Sequence, residues 1–449
     1  MRLLTPFDHA MLRMESARTP MHIGALAIFR LPDDAPPDFV RQLYNAFSAL
    51  AFLPFPYDSV LAALPVADAA YWKKTEPDPT YHVRLDALPS PGGEADLGAL
   101  VERLHSRPLD LTRPLWEAHL IEGLENNRFA FYFKAHHCAT DGIAAVQTIQ
   151  SWLSTDPGGA LPSGGKVDES GDLSLLQKLT ILPRRIVEGT LATAGMLPNL
   201  ARMALGPDSF VRTAVRTPSS VFNQRLGPHR RVAVERMSLA TLKEVAGRTD
   251  TKVNDVVLAV VGGAVHRYLL ELDALPRTSL TASVPMALSR TEDTLNAATG
   301  FVTPLGTELD DPLARLQLVA AHTRRGKHDI DGLSRGAQDY FALLGLTPLL
   351  LAQNARLATR LPLLFNFTVS NVVLGKEKRY LMGAELEYIV PISFLVDGYG
   401  LNVTVIGYGD SVTLGFVGDR DSLPHLQRLA DYTRAALADL VEAAGSAGQ

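Results

Sequence analysis

Between Thr155 and Asp172 the chain reads TDPGGALPSGGKVDESGD, and seven of these eighteen residues are proline or glycine. Such a stretch neither propagates a helix nor pairs well in a central strand, so it reads as a linker between two folded halves. On its N-terminal side, apolar runs such as Ile23–Phe29 and Phe129–Phe133 have strand character, with helical-period segments such as Ala99–His105 between them. Beyond it, a mostly helical stretch runs from Leu173 to about Thr217 and gives way to a second mixture of strands and helices. The expected organisation is a mixed α/β (α+β) domain over residues 1–172, a helical crossover over 173–220 and a second mixed domain over 221–449. No internal repeat at a solenoid period is present.

With 449 residues, the chain can bury more than one core without a disulfide or metal staple. Lys and Arg number 43 against 48 Asp and Glu, a net charge of -5, which leaves no basic surplus for a phosphate backbone; nucleic acid is not an expected partner. The single cysteine, Cys138, cannot form an intramolecular disulfide and suits a reducing compartment. The N-terminal MRLLTPFD lacks the apolar run of a signal peptide, and no uncharged apolar stretch reaches the ~18 residues of a membrane span. The longest strongly apolar run, Val256–Val265, is too short and contains Gly262 and Gly263. A cytoplasmic protein is expected. From Lys178 to Arg216 six cations face two carboxylates among many apolar residues. Such a segment suits either a packed helix pair with a basic outer face, the simpler reading, or contact with an anionic membrane. The apolar stretch LATRLPLLF at 357–365 is ambiguous in the same way.

The run with the most chemical content is Lys134-Ala135-His136-His137-Cys138-Ala139-Thr140-Asp141-Gly142. It follows an apolar strand and precedes a helical-period segment with Ile143, Val146, Ile149 and Leu153 on one side. Neighbouring side chains at a strand end point to opposite faces, so His136 and His137 cannot both face one cleft. One is free to act as a base while the other anchors the loop, and an imidazole titrates near pH 6.5, as a general base at cellular pH requires. Asp141 is placed either to cap the following helix or to pair with a distant cation. Adjacent strand histidines diverge, which argues against a His-His-Cys-Asp metal site, and sequence neighbours rarely bring sulfur and imidazole into bonding geometry, which makes Cys138 a packing residue.

The spacing HHxxxDG is the motif of the CoA-dependent acyltransferase superfamily, and the rest of the chain resembles its bacterial wax ester synthase/diacylglycerol acyltransferase branch. Thr19-Pro20-Met21-His22-Ile23-Gly24 matches that family's TPMHxG segment, Arg113-Pro114-Leu115-Trp116 its PLW motif, and Val253-Asn254-Asp255-Val256-Val257-Leu258-Ala259 its NDVVLA segment. Ser283-Val284-Pro285-Met286 to Arg290 resembles VPVSxR, and Gly400-Leu401-Asn402-Val403-Thr404 resembles GLNIT. Two stretches depart from the pattern. The family's SNVPG reads Ser370-Asn371-Val372-Val373-Leu374-Gly375, an altered and lengthened turn, and a Gly-Asn pair reads Gly300-Phe301.

The resemblance implies two chloramphenicol-acetyltransferase-like domains with the active site in a tunnel between them. It implies acyl transfer from acyl-CoA, as co-substrate, to a long-chain alcohol or diacylglycerol, giving wax ester or triacylglycerol. His137 is the implied base, with His136, Asp141 and Gly142 completing the motif, and Arg290 the implied structural partner of Asp141. Asn254 has two open roles, a hydrogen bond to substrate or oxyanion, or the N-cap of the following helix, a place that either it or Asp255 would take. Trp116 reads as a buried anchor rather than a substrate contact. Arg324, Arg325 and Lys327 would meet either a CoA phosphate or, more economically, the C-terminal end of a helix dipole. No permanently bound cofactor and no metal are expected. Because such lipids dissolve poorly, a peripheral visit to the inner membrane or a lipid droplet is expected. The rivals are an amide-forming condensation enzyme and an inactive lipid-binding relative.

Overall fold

The computed structural model describes residues 2–49, 54–63, 70–159, 161, 217–287, 298–331, 353 and 363–446. In chain order the described elements are β1 (Arg2–Leu3), α1 (Pro6–Met14), β2 (His22–Arg30), α2 (Phe39–Ser48), β3 (Ser59–Ala63), β4 (Ala70–Lys74), α3 (Pro79–His82), β5 (Val83–Ala87), α4 (Glu94–Ser106), β6 (Trp116–Leu124), β7 (Arg128–His136) and α5 (Gly142–Trp152). Then follow β8 (Arg230–Ser238), α6 (Leu239–Arg248), α7 (Val253–Glu271), β9 (Thr281–Ala287), β10 (Ala298–Pro304), α8 (Pro312–Asp331), β11 (Phe367–Gly375), β12 (Tyr380–Leu381), β13 (Ala384–Ile392), β14 (Leu401–Tyr408), β15 (Ser411–Asp419) and α9 (Gln427–Ser446).

The chain divides into two compact units. One gathers Met1–Arg184, Thr291–Asn296 and Val372–Phe394; the other holds Arg185–Arg290, Ala297–Asn371 and Leu395–Gln449. The sequence-based division at 172 and 221 treats the C-terminal half as one contiguous piece. The strand register shows otherwise, because β13 pairs antiparallel with β2 and so gives Val372–Phe394 to the first unit. Alternating apolarity marks β13 as a strand but carries no information about which strand it will pair with. The expected helical crossover at 173–220, with the basic segment Lys178–Arg216, lies outside the described residues up to position 216.

The first unit is built on a six-stranded sheet in the order β12-β13-β2-β7-β6-β5, antiparallel except for the β5–β6 pair. Strand β7 lies in the middle, and every residue from Phe129 to His136 is buried, which is why this strand is an apolar run rather than an alternating one. Its aromatic rings hold the helices. Phe131 and Phe133 meet the Trp152 ring at centroid distances of 5.9 and 5.1 Å, and Phe47 of α2 meets it at 5.7 Å, so the last residue of α5 is clamped on the sheet. As the periodicity predicts, Val146, Ile149 and Leu153 are buried.

Beside the aromatic face lies a buried ionic group. Lys134 is fully buried; its ammonium donates to the carbonyls of Leu104 and Arg107, each at 3.0 Å, and sits 3.3 Å from the Glu117 carboxylate. Glu117 in turn faces His119, whose Nδ1 is 2.8 Å from Asp86. Burial pushes the Glu117 carboxyl up, but the His119 hydrogen bond and the Lys134 charge outweigh it and hold the pKa at about 2.

The second unit has a six-stranded sheet ordered β10-β9-β11-β14-β15-β8. Its core helix α7 is buried on nearly all sides, and it contains the apolar run 256–265. It is the one described helix long and apolar enough to cross a membrane by length and composition, and most of that stretch is packed inside the unit. Gly262 is required there, because a Cβ would lie 2.2 Å from the Leu305 carbonyl oxygen.

Candidate active site

The HHxxxDG run forms the junction between β7 and α5. The strand ends at His136, the amides of Ala139 and Thr140 both turn back to the His136 carbonyl (2.9 and 3.3 Å), and Asp141 then starts α5. Two flanking segments clamp this turn. The His136 amide donates to the Leu115 carbonyl (3.0 Å) and the His137 amide to the Met21 carbonyl (2.8 Å), while His22 lies opposite His136 in the β2–β7 register. The TPMHxG and PLW segments therefore serve as the backbone frame of the histidine loop. Trp116 is a buried anchor: its indole N–H donates to the Tyr57 carbonyl (2.9 Å) and its ring stacks on His82 at 4.5 Å.

The two histidines have different environments. His136 is completely buried; its Nδ1 accepts from the Cys138 amide (3.1 Å), so a neutral ring carries its proton on Nε2, which faces the Glu15 carboxylate at 3.4 Å. Glu15 also accepts from the Met21 amide, so one carboxylate reaches both the TPMHxG segment and His136. His137 is only partly buried, and its ring meets Phe394 edge-to-face at 5.1 Å. Burial pushes the His137 pKa down to about 4, the Asp141 carboxylate opposes that shift and the His136 ring reinforces it. At neutral pH the His137 imidazole is uncharged, as a proton acceptor must be.

Asp141 is the N-cap of α5; its Oδ1 accepts from the Ala144 amide at 2.7 Å. Gly142 opens the helix and is exposed, with Val372 the nearest neighbour that a side chain at this position would meet, at 3.9 Å. Cys138 is fully buried, and burial together with the Asp8 and Glu15 carboxylates pushes its thiol well above the usual range. It has no thiolate to offer as a nucleophile.

These four motif residues are brought together in the first unit, while the other candidates belong to the second or fall outside the described residues. Asn254 and Asp255 lie in the first turn of α7, but neither is its N-cap, which corrects that reading. Lys252 occupies the cap, and Asp255, three positions on, accepts from the Lys252 amide (3.0 Å) and from the Thr323 hydroxyl of α8 (2.6 Å). The physical reason is that a carboxylate at the third helical position can reach back to the cap amide. Asn254, half-buried, accepts from the Asn371 side chain at 3.3 Å. Arg290 lies outside the described residues. Arg324, Arg325 and Lys327 lie within α8 rather than after it: the two arginines are exposed and Lys327 is half-exposed. The altered SNVVLG stretch is not a turn: β11 runs through it to Gly375, with Leu374 buried and Val373 exposed. Phe301, in place of the family's asparagine, is a core residue of the second unit and lies where a side chain on Gly326 would need to be.

Glu15, Phe394 and, behind Phe394, His105 support the histidine loop and were not singled out in the sequence. Glu15 meets His136 and Phe394 meets His137, while His105 is linked to the site through Ser393; all three lie far from the motif in the chain, and no local pattern signals such contacts. Gly24, the last residue of the TPMHxG segment, is fixed by the same packing. A Cβ there would lie 2.8 Å from the Tyr132 ring, and the ring cannot retreat because its hydroxyl is held by His105 Nδ1 at 2.8 Å. Gly24→Ala is expected to destabilise the first unit by about 1–3 kcal/mol, read as a lowered thermal unfolding midpoint.

Among the described residues no group of three or more His, Cys, Asp or Glu is arranged to hold a metal ion. Comparison with known proteins places the chain in a family. Residues 4–257 match the wax ester synthase/diacylglycerol acyltransferase catalytic domain and residues 296–441 its C-terminal domain. A putative diacylglycerol O-acyltransferase of Mycobacterium tuberculosis is 55% identical over 448 residues, covering 99% of this chain and 100% of that one. A probable diacylglycerol O-acyltransferase of the same species is 36% identical over 461 residues, covering 99% of this chain and 100% of that one. Among solved structures, the wax ester synthase/diacylglycerol acyltransferase of Marinobacter aquaeolei is similar with a TM-score of 0.80 at 29% identity, covering 99% of this chain and 100% of that one. The first condensation domain of the calcium-dependent antibiotic synthetase shares the fold, with a TM-score of 0.64 at 16% identity over 99% of this chain and 96% of that one. With the histidine motif intact in its loop and both domains matched, this chain belongs to the wax ester synthase/diacylglycerol acyltransferase family.

Proposed function

We propose that this acyltransferase moves a long-chain acyl group directly from acyl-CoA to an alcohol oxygen, with His137 as the only base. The observation that carries the reading is the contrast between the two imidazoles: His136 is buried and fixed in the frame, whereas His137 is partly exposed and neutral at physiological pH. Its Nδ1 is buried, so Nε2 is the nitrogen proposed to meet the substrate hydroxyl. Nε2 takes the proton of the hydroxyl as the oxygen attacks the thioester carbonyl. The tetrahedral intermediate collapses, the carbon–sulfur bond breaks, and the imidazolium returns the proton to the departing CoA thiolate. Proton and acyl group are both accounted for, and no acyl-enzyme forms. The oxyanion needs donors, worth several kcal/mol at the transition state; Asn254, through its side-chain amide, and Asp141, by fixing the start of α5, are assigned to positioning, with Arg290 as the partner of Asp141.

Fatty alcohol and diacylglycerol are both proposed acceptors, and the cations of α8, Arg324, Arg325 and Lys327, are proposed to meet a CoA phosphate. Acceptors of this kind reside in membranes and lipid droplets, so a peripheral visit to such a surface is part of the reading. The purified protein, given palmitoyl-CoA with hexadecanol or dioleoylglycerol in separate tubes, is expected to form ester with both, detected by mass spectrometry. Free CoA without ester would mean that the acceptors are wrong. Neither product would favour a lipid-binding relative without turnover. A second expectation follows from the imidazole environment: kcat/KM should stay level from neutrality into the acid range and fall only as His137 gains a proton, near pH 4 rather than near the ordinary imidazole value.

A further inference from the structure

The segment after β13 carries a hydrogen-bonded link from α4 to the ring that packs on His137. His105, in the last turn of α4, is 2% exposed. Its Nε2 lies 3.0 Å from the Ser393 carbonyl oxygen and its Nδ1 2.8 Å from the Tyr132 hydroxyl. A carbonyl can only accept, so Nε2 carries the proton, and Nδ1 of the neutral ring accepts from the tyrosine. The ring is held from a third side by His22, edge-to-face at 4.7 Å, whose own Nε2 bonds to the His105 carbonyl at 2.8 Å. His105 is thus held in orientation, and through Ser393 it reaches the segment that follows β13. The next residue is Phe394, whose ring meets His137 at 5.1 Å and 78°.

We propose that His105 is a positioning residue for catalysis: through the Ser393 carbonyl it sets Phe394 as the wall that fixes the His137 ring and shields it from water. The inference rests on His137 being the base. An aromatic edge against an imidazole limits rotation of the ring about its χ2 torsion, and a reacting nitrogen displaced by about 1 Å can cost about 100-fold in rate. The same wall excludes water from one side of the imidazole. Among the described residues, Asp141 from the start of α5 and His136 from β7 act on His137 electrostatically, and Phe394 sets an apolar ring against it.

The test compares wild type with His105→Met, His105→Gln, Phe394→Ala and Phe394→Leu on palmitoyl-CoA and hexadecanol. His105→Met loses the donor to Ser393 and is expected to lower kcat about 10-fold or more with KM for acyl-CoA within about twofold. His105→Gln places an amide N–H where Nε2–H stood and should restore most of the rate. Phe394→Ala opens the ring to water and should move the acid limb of kcat/KM upward from about 4 toward the ordinary imidazole range. Phe394→Leu keeps the apolar cover, so its limb should stay near the wild-type position while kcat falls. A merely structural role would lower the amplitude of every profile without moving its limb, and that result would overturn the proposal. So would a His105→Met enzyme with wild-type kcat. If His105→Met does not fold, His105→Gln decides for His105, since a rate as low as that of Phe394→Ala would overturn the proposal, and the two Phe394 variants test the wall through the position of the limb. Failure of the base reading is a separate outcome, recognised by a His137→Ala enzyme that turns over at the wild-type rate.

Discussion

His137→Ala is expected to reduce ester formation about 100- to 10,000-fold, the range a positioned general base contributes. Its effect on stability should be small, because His137 is partly exposed and the backbone bond from its amide to Met21 survives the substitution. His136→Ala should behave in the opposite sense. It removes a fully buried ring that accepts from the Cys138 amide and faces Glu15, and so leaves a buried amide and a buried carboxylate without the group they face. A lowered unfolding midpoint with a partial loss of rate is the expected result for His136, and an unchanged midpoint with almost complete loss for His137. Measured side by side, the two variants separate frame from base, a distinction the doublet of histidines in the sequence does not make.

The second large effect is expected at Lys134, two residues before the histidine doublet. Lys134→Met keeps the apolar stem but removes the ammonium that serves the Leu104 and Arg107 carbonyls and the Glu117 carboxylate. Removing one partner of a buried pair typically costs about 3–5 kcal/mol, because the remaining charge has no compensation. Glu117 keeps His119, which softens the loss on one side. Urea unfolding of Lys134→Met should show a midpoint reduced accordingly, and a double Lys134→Met, Glu117→Leu variant should recover much of it. Because the carbonyls that Lys134 holds belong to α4 and the residue just beyond it, this group also fixes the helix on which His105 is carried.

What the sequence discloses here is local, and what it conceals is paired over distance. The strand, turn and helix around His136–Gly142 were legible because every step is signalled within about twenty residues: an apolar run, a doublet of histidines, an Asp-Gly start and a helical repeat. The family motifs were legible as words but not as a structure. Only the β2–β7 register shows that TPMHxG and HHxxxDG lie side by side, and only the β13–β2 register shows that Val372–Phe394 belongs to the first unit. Glu15, His105 and Phe394 left no trace because the partners that tie them to the site lie far away in the chain; His105 and Ser393 are 288 residues apart. The cap of α7 was misplaced by two or three positions, since a capping aspartate three residues inside a helix resembles one at its start.

The most direct measurement is a rapid chemical quench of the enzyme with palmitoyl-CoA, first without alcohol and then with hexadecanol, following free CoA, ester and intact protein mass together. Direct transfer through His137 requires that free CoA appear only when alcohol is present, in equal amount to ester, with the protein mass unchanged throughout. A burst of CoA before alcohol is added, with palmitate retained on the protein, would contradict it.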